Sequence, residues 1–291
     1  MRTFEYLKPV SVEEVLALMS HHGNKAKLVA GGTDFMVQWK KRLINPEYVI
    51  SLRNVPSLNF LDFGDSLRIG SCTSHRTLEL SGEIQQRYPV LHDAVCALGS
   101  VQVRNSATIG GNICNAAPSA DTAPPLLVLD AVVKAVSSNA ERLVPLTDFF
   151  AGPGRTTLEP GELVTEFVIP NVPPRTGMTY WKHTRRRAMD LPILGVAALL
   201  TFEDDLETCR SARIALGVAA PTPMRAREAE AFLEGKSIDE EVLMKAGSIA
   251  ASEAAPRSTI RGSAWYRKEM IQVLVKRTGM ICIDRARNGA R

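Results

Sequence analysis

The sequence predicts a two-domain chain of mixed α and β structure, on three observations. Its 291 residues are about twice the ordinary size of a single domain. Up to Ile169 short strands and short helices interleave, whereas the last part reads as strands first and helices after, an α+β pattern. Between them lies Pro170-Asn171-Val172-Pro173-Pro174, the segment best suited to a linker. Apolar residues at 45% and charged residues at 23% are ordinary globular values, which removes disordered and fibrous readings.

The elements follow in order. Ser11 and Glu14 have capping-box spacing, and Val12, Val15, Leu16 and Met19 follow at helical intervals up to Gly23. Lys27 to Ala30 reads as a short strand ending at Gly31-Gly32, after which Thr33 or Asp34 caps a helix through Phe35 to Trp39. Tyr48 to Leu52 reads as a strand. Leu58 to Phe63 and Leu67 to Gly70 flank the turn pair Gly64-Asp65 and read as a hairpin. Val90 to Leu98 reads as a helix. Val101 to Asp121 is rich in Gly, Asn, Pro and small residues with little periodicity, and reads as a long loop of the kind that carries function. Short strands and turns resume from Leu126 to Ile169. Beyond the linker, strands are expected at Thr179–Lys182, Ile193–Phe202 and Arg213–Val218. A helical region from Arg225 to Glu253 breaks near Gly235, and a last helix covers Ala264 to Arg277 with Tyr266, Met270, Val273 and Leu274 on one face.

Charge and cysteine usage bound the function. The net charge is +4. Through Pro170 there are 15 basic and 17 acidic residues; from Asn171 there are 20 and 14, an excess of 20 − 14 = 6. That excess suits an anionic cofactor or an acidic protein as well as nucleic acid, and the run Arg185-Arg186-Arg187 lacks the interleaved aromatics of a nucleic-acid face. It reads instead as a solvated or subunit-facing cluster, so no nucleic-acid partner is expected. The five cysteines, Cys72, Cys96, Cys114, Cys209 and Cys282, are odd in number and unclustered, which fits a reducing, cytoplasmic setting and no metal site of the chain's own. His21, His22, His75, His92 and His183 show no ligand spacing, and Trp39, Trp181 and Trp265 read as packing residues. No apolar run reaches the roughly 18 residues needed for a membrane span, and the N-terminus has no apolar stretch expected of a secretory signal.

Two glycine pairs carry the chemical signal. Ala30-Gly31-Gly32-Thr33-Asp34-Phe35 sits between a strand and a helix, where backbone N–H groups and a helix N-terminus suit an anion; a tight turn explains the same residues. Thr108-Ile109-Gly110-Gly111-Asn112, with Asn115, Pro118 and Asp121 following, can present N–H groups, a hydroxyl and carboxamides in one concave turn, which suits a pyrophosphate and a polyol. Neither loop has the spacing of a P-loop or a Rossmann fingerprint. Asp121 would repel a pyrophosphate, so it faces a neutral part of a ligand or serves the turn before Pro124-Pro125.

In order, AGGTDF (Ala30–Phe35), ATIGGNICNAAPSAD-x-x-P (from Ala107), GELVTEFVIP (from Gly161) and K-x-x-R-R-R-x-x-D (Lys182–Asp190) resemble the FAD-binding medium subunit of the molybdenum hydroxylases. That family includes xanthine dehydrogenase, carbon monoxide dehydrogenase and the aldehyde oxidoreductases. The resemblance runs from Tyr6 to about Arg277. It implies an α+β architecture: a two-lobed FAD-binding domain of the vanillyl-alcohol-oxidase (PCMH) type over residues 1–172, with lobes of about 1–56 and 57–172. A smaller α+β domain typical of carbon monoxide dehydrogenase flavoproteins would follow over 177–280, and a tail over 281–291. It also implies non-covalent FAD, although His75 could in principle carry a covalent link as in some relatives of the fold.

Carried over by resemblance, Leu28, Val29, Ala30, Gly31, Gly32, Thr33, Asp34 and Phe35, with Thr108, Ile109, Gly110, Gly111 and Asn112, wrap the pyrophosphate and ribityl chain. Leu98 touches the flavin, Asp121 the adenosine ribose region, Val164 offers a backbone contact, and Lys182 lies beside the isoalloxazine edge. A cation there would raise the flavin potential. The family further implies a large molybdopterin subunit, a small subunit with two-iron–two-sulfur clusters, a dimer of heterotrimers and an external electron acceptor. The cysteine-rich insert of the 4-hydroxybenzoyl-CoA reductase branch is missing, which places the chain in the ordinary branch. The competing expectations are a stand-alone flavoprotein oxidoreductase of the same fold, which the small second domain disfavours, and a non-catalytic module whose glycine loops are only turns.

Overall fold

A computed structural model of the chain describes residues 3–289. The first lobe contains β1 (Glu5–Leu7), α1 (Val12–His22), β2 (Ala26–Val29), α2 (Phe35–Lys40) and β3 (Tyr48–Ser51), with a fully parallel sheet in the order β1-β3-β2. The Ser11 hydroxyl caps α1 by accepting from the Glu14 amide at 3.2 Å. The returning Glu14 carboxylate reaches the Val10 amide at 2.8 Å, one residue before the position a reciprocal capping box would use. Val15 and Leu16 pack beneath the sheet with Ile50, Leu52, Val55 and Leu58. Asp34 precedes α2, but neither its side chain nor that of Thr33 makes a capping hydrogen bond, so the expected cap is absent.

The second lobe is built on a five-stranded antiparallel sheet in the order β4-β5-β10-β6-β7. Its strands are β4 (Leu61–Phe63), β5 (Ser66–Gly70), β6 (Val132–Val136), β7 (Glu141–Pro145) and β10 (Leu163–Pro170). The small hairpin of β8 (Phe150–Gly152) and β9 (Arg155–Thr156) stands apart from it. The hairpin at Gly64-Asp65 forms with Phe63 opposite Leu67. Helices α3 (His75–Leu80), α4 (Gly82–Arg87) and α5 (Pro89–Ala97) cover one side.

The segment expected as a loop from Val101 to Asp121 is largely helical: α6 (Val101–Ser106) and α7 (Ile109–Cys114) each run little more than one turn. Ser100 and Thr108 cap them through the amides of Val103 and Gly111. Helices this short repeat no apolar position often enough to show a period. Likewise α8 (Ala123–Val128) stands where strands were expected to resume; it is wholly buried and carries proline in its first turn, where the missing N–H costs nothing.

Past the linker, β11 (Thr176–His183), β12 (Leu194–Phe202), β13 (Cys209–Gly217) and β14 (Met224–Arg225) form an antiparallel sheet in sequence order. Helices α9 (Arg227–Leu233), α10 (Glu240–Glu253) and α11 (Ala264–Gly289) pack on it. The helical region breaks at Gly235, in the left-handed region at φ +75°, as expected. Two expectations fail here. The last helix does not stop at Arg277, and residues 281–289 are its final turns rather than a tail. Its buried stripe is Ile271, Leu274, Val275, Thr278, Cys282, Ile283 and Ala286; Tyr266, Met270 and Val273 are only half-buried and Trp265 is exposed. One sheet face packs on α10 and α11, while its other face, through Met178, Tyr180, Ala197, Leu199 and Ala215, completes the core of the second lobe. The two domains therefore share a core.

Ile283 lies in that stripe, 5% exposed. Ile283→Ala is expected to destabilise the chain by about 2–4 kcal/mol, read as a lower denaturation midpoint; an unchanged midpoint would restore the view of this segment as a tail.

Candidate functional site

A cleft of about 720 Å³ runs between the two lobes and is closed at one end by β11 of the following domain. Leu28 to Phe35 form one wall. Leu98, Thr108, Gly110, Gly111, Asn112, Asp121, Val164 and Lys182 come to the same cleft from five other parts of the chain. Ile109 does not: its side chain is fully buried in the core beneath the second glycine pair. His75 also lies outside the lining. Its ring is buried with both nitrogens unpartnered, and burial, aided by the Arg104 charge, pushes it down to about 4.

The two glycine pairs differ in what they offer. Around the first, the amides of Gly31, Gly32, Thr33 and Asp34 donate to no other group among the described residues. Gly32 is at φ +75°, so the chain turns there and leaves these donors facing the cleft. Around the second, the amides are already used. Ile109 donates to Thr73 O at 3.1 Å, Gly110 to Ser71 O at 2.8 Å, Gly111 to Thr108 Oγ1 at 3.0 Å and Asn112 to Thr108 O at 3.0 Å. The expectation that both loops present free N–H groups is therefore corrected: the first loop supplies them, and the second supplies side chains and an uncluttered surface. Two of the four glycines answer to packing. A Cβ on Gly31 would stand 2.0 Å from Ser106 O, and one on Gly110 2.5 Å from Ser71 O. At Gly111 a Cβ would meet only the Thr108 hydroxyl, at 3.0 Å.

At the β11 end a buried ion pair closes the cleft. Lys182 Nζ donates to Asp121 Oδ2 at 2.8 Å and to Ala97 O at 3.1 Å, while Tyr180 Oη donates to Asp121 Oδ1 at 3.0 Å. Both charged side chains are 7% exposed. Burial pushes the Asp121 carboxyl up, against the pull of the Lys182 ammonium; burial and the neighbouring carboxylate hold Tyr180 well above its ordinary value, so it remains a donor. The two side chains touch, so Asp121 and Lys182 lie at the same end of the cleft. The pairing also offsets much of the charge that Lys182 was expected to present.

Sequence reasoning missed several lining residues. Ser71 and Cys72 follow β5, Gln38 lies on α2, and Ser119 lies beyond α7; Asn115, marked by the sequence, joins them in the lining. Gln38 Nε2 donates to Asn115 Oδ1 at 3.4 Å, tying the lobes across the cleft. Met189, Asp190 and Leu191 come from the loop that also exposes Arg185, Arg186 and Arg187. Asp190 closes the Lys182–Asp190 motif, but no motif marks Met189 or Leu191 as lining, since only the folded path of the 184–193 loop brings them to the cleft. Burial pushes the Cys72 thiol up to about 11 and the Cys114 thiol up to about 12, so neither cleft thiol is an activated thiolate. Among the described residues no three His, Cys, Asp or Glu side chains gather as a metal-ligand set, and no helix is long and apolar enough to cross a membrane.

The cleft fits an FAD-sized ligand on three counts. Its volume lies within the range of cofactor sites. Free backbone donors on one wall suit a pyrophosphate. Leu28, Leu98, Leu163 and Val164 give an apolar surface for a ring.

Residues 2–172 match the family described as the FAD binding domain in molybdopterin dehydrogenase, and residues 179–280 match the CO dehydrogenase flavoprotein C-terminal domain. The chain is 33% identical to the xanthine dehydrogenase FAD-binding subunit of Escherichia coli O157:H7, over 94% of this chain and 93% of that one. It is 32% identical to the carbon monoxide dehydrogenase medium chain of Afipia carboxidovorans, over 98% and 99%. Among solved structures, a chain of carbon monoxide dehydrogenase from Hydrogenophaga pseudoflava superposes with a TM-score of 0.93 at 34% identity, covering 98% of each chain. One of quinoline 2-oxidoreductase from Pseudomonas putida 86 gives 0.91 at 28% identity, covering 100% of this chain and 99% of that one.

Lys182→Met leaves Asp121 buried without its cation and is expected to cost about 3–5 kcal/mol near neutral pH. Because the folded carboxyl then lies further above its unfolded value, the folded state takes up the proton first, and stability falls as pH rises between the two values. The melting point of Lys182→Met is thus expected to approach that of the wild type on going from about pH 7.5 to about pH 5. A gap that stays constant across this range would show that Asp121 is not the responsible group.

Proposed function

Since the chain belongs to the FAD-binding subunits of the molybdopterin dehydrogenases, we propose that it accepts electrons from iron–sulfur clusters of a partner subunit and passes them to an external acceptor. Substrate oxidation then takes place at molybdopterin in a large partner, and the assembly is a dimer of heterotrimers in the cytoplasm. The observation that carries this reading is the interlobe cleft, in which free backbone donors, an apolar wall and a buried charge pair converge. The relatives support it by length as well: the chain spans nearly all of the medium chains and FAD-binding subunits it matches.

When bound, FAD supplies the redox chemistry. The protein's own residues bind and orient it. The amides of Gly31 to Asp34 take the pyrophosphate. Thr108, Asn112 and Asn115 offer a hydroxyl and carboxamides to the polyol. Leu98 and the backbone at Val164 flank the ring, and Lys182 keeps an N–H beyond its bonds to Asp121 and Ala97 for a flavin edge. Because Asp121 accompanies Lys182, the pair orients a donor while adding little net charge, so its effect on the potential is smaller than that of a lone cation.

The test is the visible spectrum of the tagged chain purified gently from its own cells. Flavin bands with a broad iron–sulfur shoulder, and co-purifying large and small partners, are expected. Flavin without the shoulder or partners points to a stand-alone flavoprotein. A colourless chain that takes up no added FAD overturns the reading. Gly111→Val is expected to fold and to lose FAD, because its side chain fills the approach that the cleft leaves open; full flavin occupancy in that variant would refute the assignment of this loop.

A further inference from the structure

Three successive carbonyls on one wall of the cleft are each held by a donor from a different part of the fold. Ala97 O accepts from Lys182 Nζ at 3.1 Å. Leu98 O accepts from Arg104 Nη1 at 2.8 Å. Gly99 O accepts from the Met189 amide at 3.1 Å. This strap joins α5 to α6, with Gly99 at φ +53° in the left-handed region, and Leu98 and Gly99 both face the cleft. Without these bonds it would be a short link free to shift; with them, the position of Leu98 is set from three sides.

Arg104 is not part of the cleft lining and is 8% exposed. Its guanidinium grips the Glu79 carboxylate on α3 with two N–H groups, Nε at 2.7 Å and Nη2 at 2.9 Å, and turns a third to Leu98 O. Arg76 also meets Glu79, at 2.9 Å. Only the rigid, multi-donor fork of arginine can hold a carboxylate bidentately and a carbonyl at the same time; a lysine at this place reaches one or the other. The arrangement repeats the one at Lys182: a cation donates to a strap carbonyl while a carboxylate balances its charge.

We propose that Arg104 is a positioning residue, which fixes the Leu98 carbonyl against α3 and so sets the wall on which the flavin ring rests. This rests on the FAD reading above. Fixing the carbonyl fixes the backbone of Leu98, and with it the direction of the side chain that faces the cleft. A site held by such a supporting contact keeps its ligand in one pose; a loosened support leaves the ligand bound in a less defined one.

The experiment uses the assembled complex, stripped of FAD and reloaded. Arg104→Gln is expected to bind FAD roughly tenfold more weakly and, at saturating FAD, to show altered visible circular dichroism of the bound flavin. A purely structural role would lower the melting point and leave that spectrum unchanged. Arg76→Gln removes the other partner of Glu79 and spares the Leu98 contact, so it is expected to keep both wild-type affinity and spectrum. Should Arg104→Gln fail to assemble, Arg104→Lys carries the test: it keeps the charge beside Glu79, gives up the Leu98 carbonyl and is expected to show the altered spectrum. Wild-type affinity and spectrum in the Arg104 variants, or the same change in Arg76→Gln, overturns the proposal. A wild-type complex that releases no FAD on denaturation overturns the FAD reading itself, a failure visible before any variant is measured.

Discussion

Three aspartates of the first domain bind donors of the second, and the cleft depends on that joint. Asp93 accepts from Thr179 Oγ1, the Tyr180 amide and Arg285. Asp121 accepts from Tyr180 and Lys182, and Asp130 pairs with Arg213 and Arg225. Asp121 is buried, and a buried carboxylate is costly unless it is paired and hydrogen-bonded, so its contacts hold only when β11 sits in one register against α5 and α8; Asp93 and Asp130, only partly covered, add polar contacts along the same joint. The shared apolar core supplies the driving force for docking, and the aspartates select the geometry.

That selection has a functional consequence. Tyr180 and Lys182 are alternate residues of one strand and point to the same face, so the register that satisfies Asp121 also delivers the ammonium to the end of the cleft. Lys182 at once bonds Ala97 O, the first carbonyl of the strap that carries Leu98. The second domain thus finishes a site whose other walls belong to the first. This accounts for a fold in which the domains share a core rather than meet at a polar, sliding interface.

The glycine pairs show how a single motif can hold two causes. Gly31 and Gly110 are needed because backbones approach too closely for a Cβ and Gly32 because the chain turns, whereas a Cβ at Gly111 would meet only the Thr108 hydroxyl, at the cleft surface. A sequence shows two similar pairs and invites one explanation for both. The hydrogen-bond pattern separates them, since the amides of the second loop are spent on Ser71, Thr73 and Thr108, and those of the first are not.

The features legible before folding were local, or were carried by ordered motifs. The capped helix after Ser11, the hairpin at Gly64-Asp65, the break at Gly235 and the two glycine loops were legible, because caps, turns and glycine pairs act through neighbours a few positions away. Tertiary structure decided the rest. The helices between Val101 and Cys114 are too short to show a period; Ser100 and Thr108 cap them, Arg104 pins the first to Glu79, and Ile109 and Ile113 seat the second in the core. The turns of α11 beyond Arg277 follow a Thr278-Gly279 pair that reads as a helix stop, and they stay helical because Cys282, Ile283 and Ala286 join the core beneath the sheet. Likewise, the contact of Asp121 with Lys182 joins residues far apart in the chain. No local rule encodes such a contact: it follows from strand register and from the desolvation of a carboxylate that only a folded neighbour could satisfy.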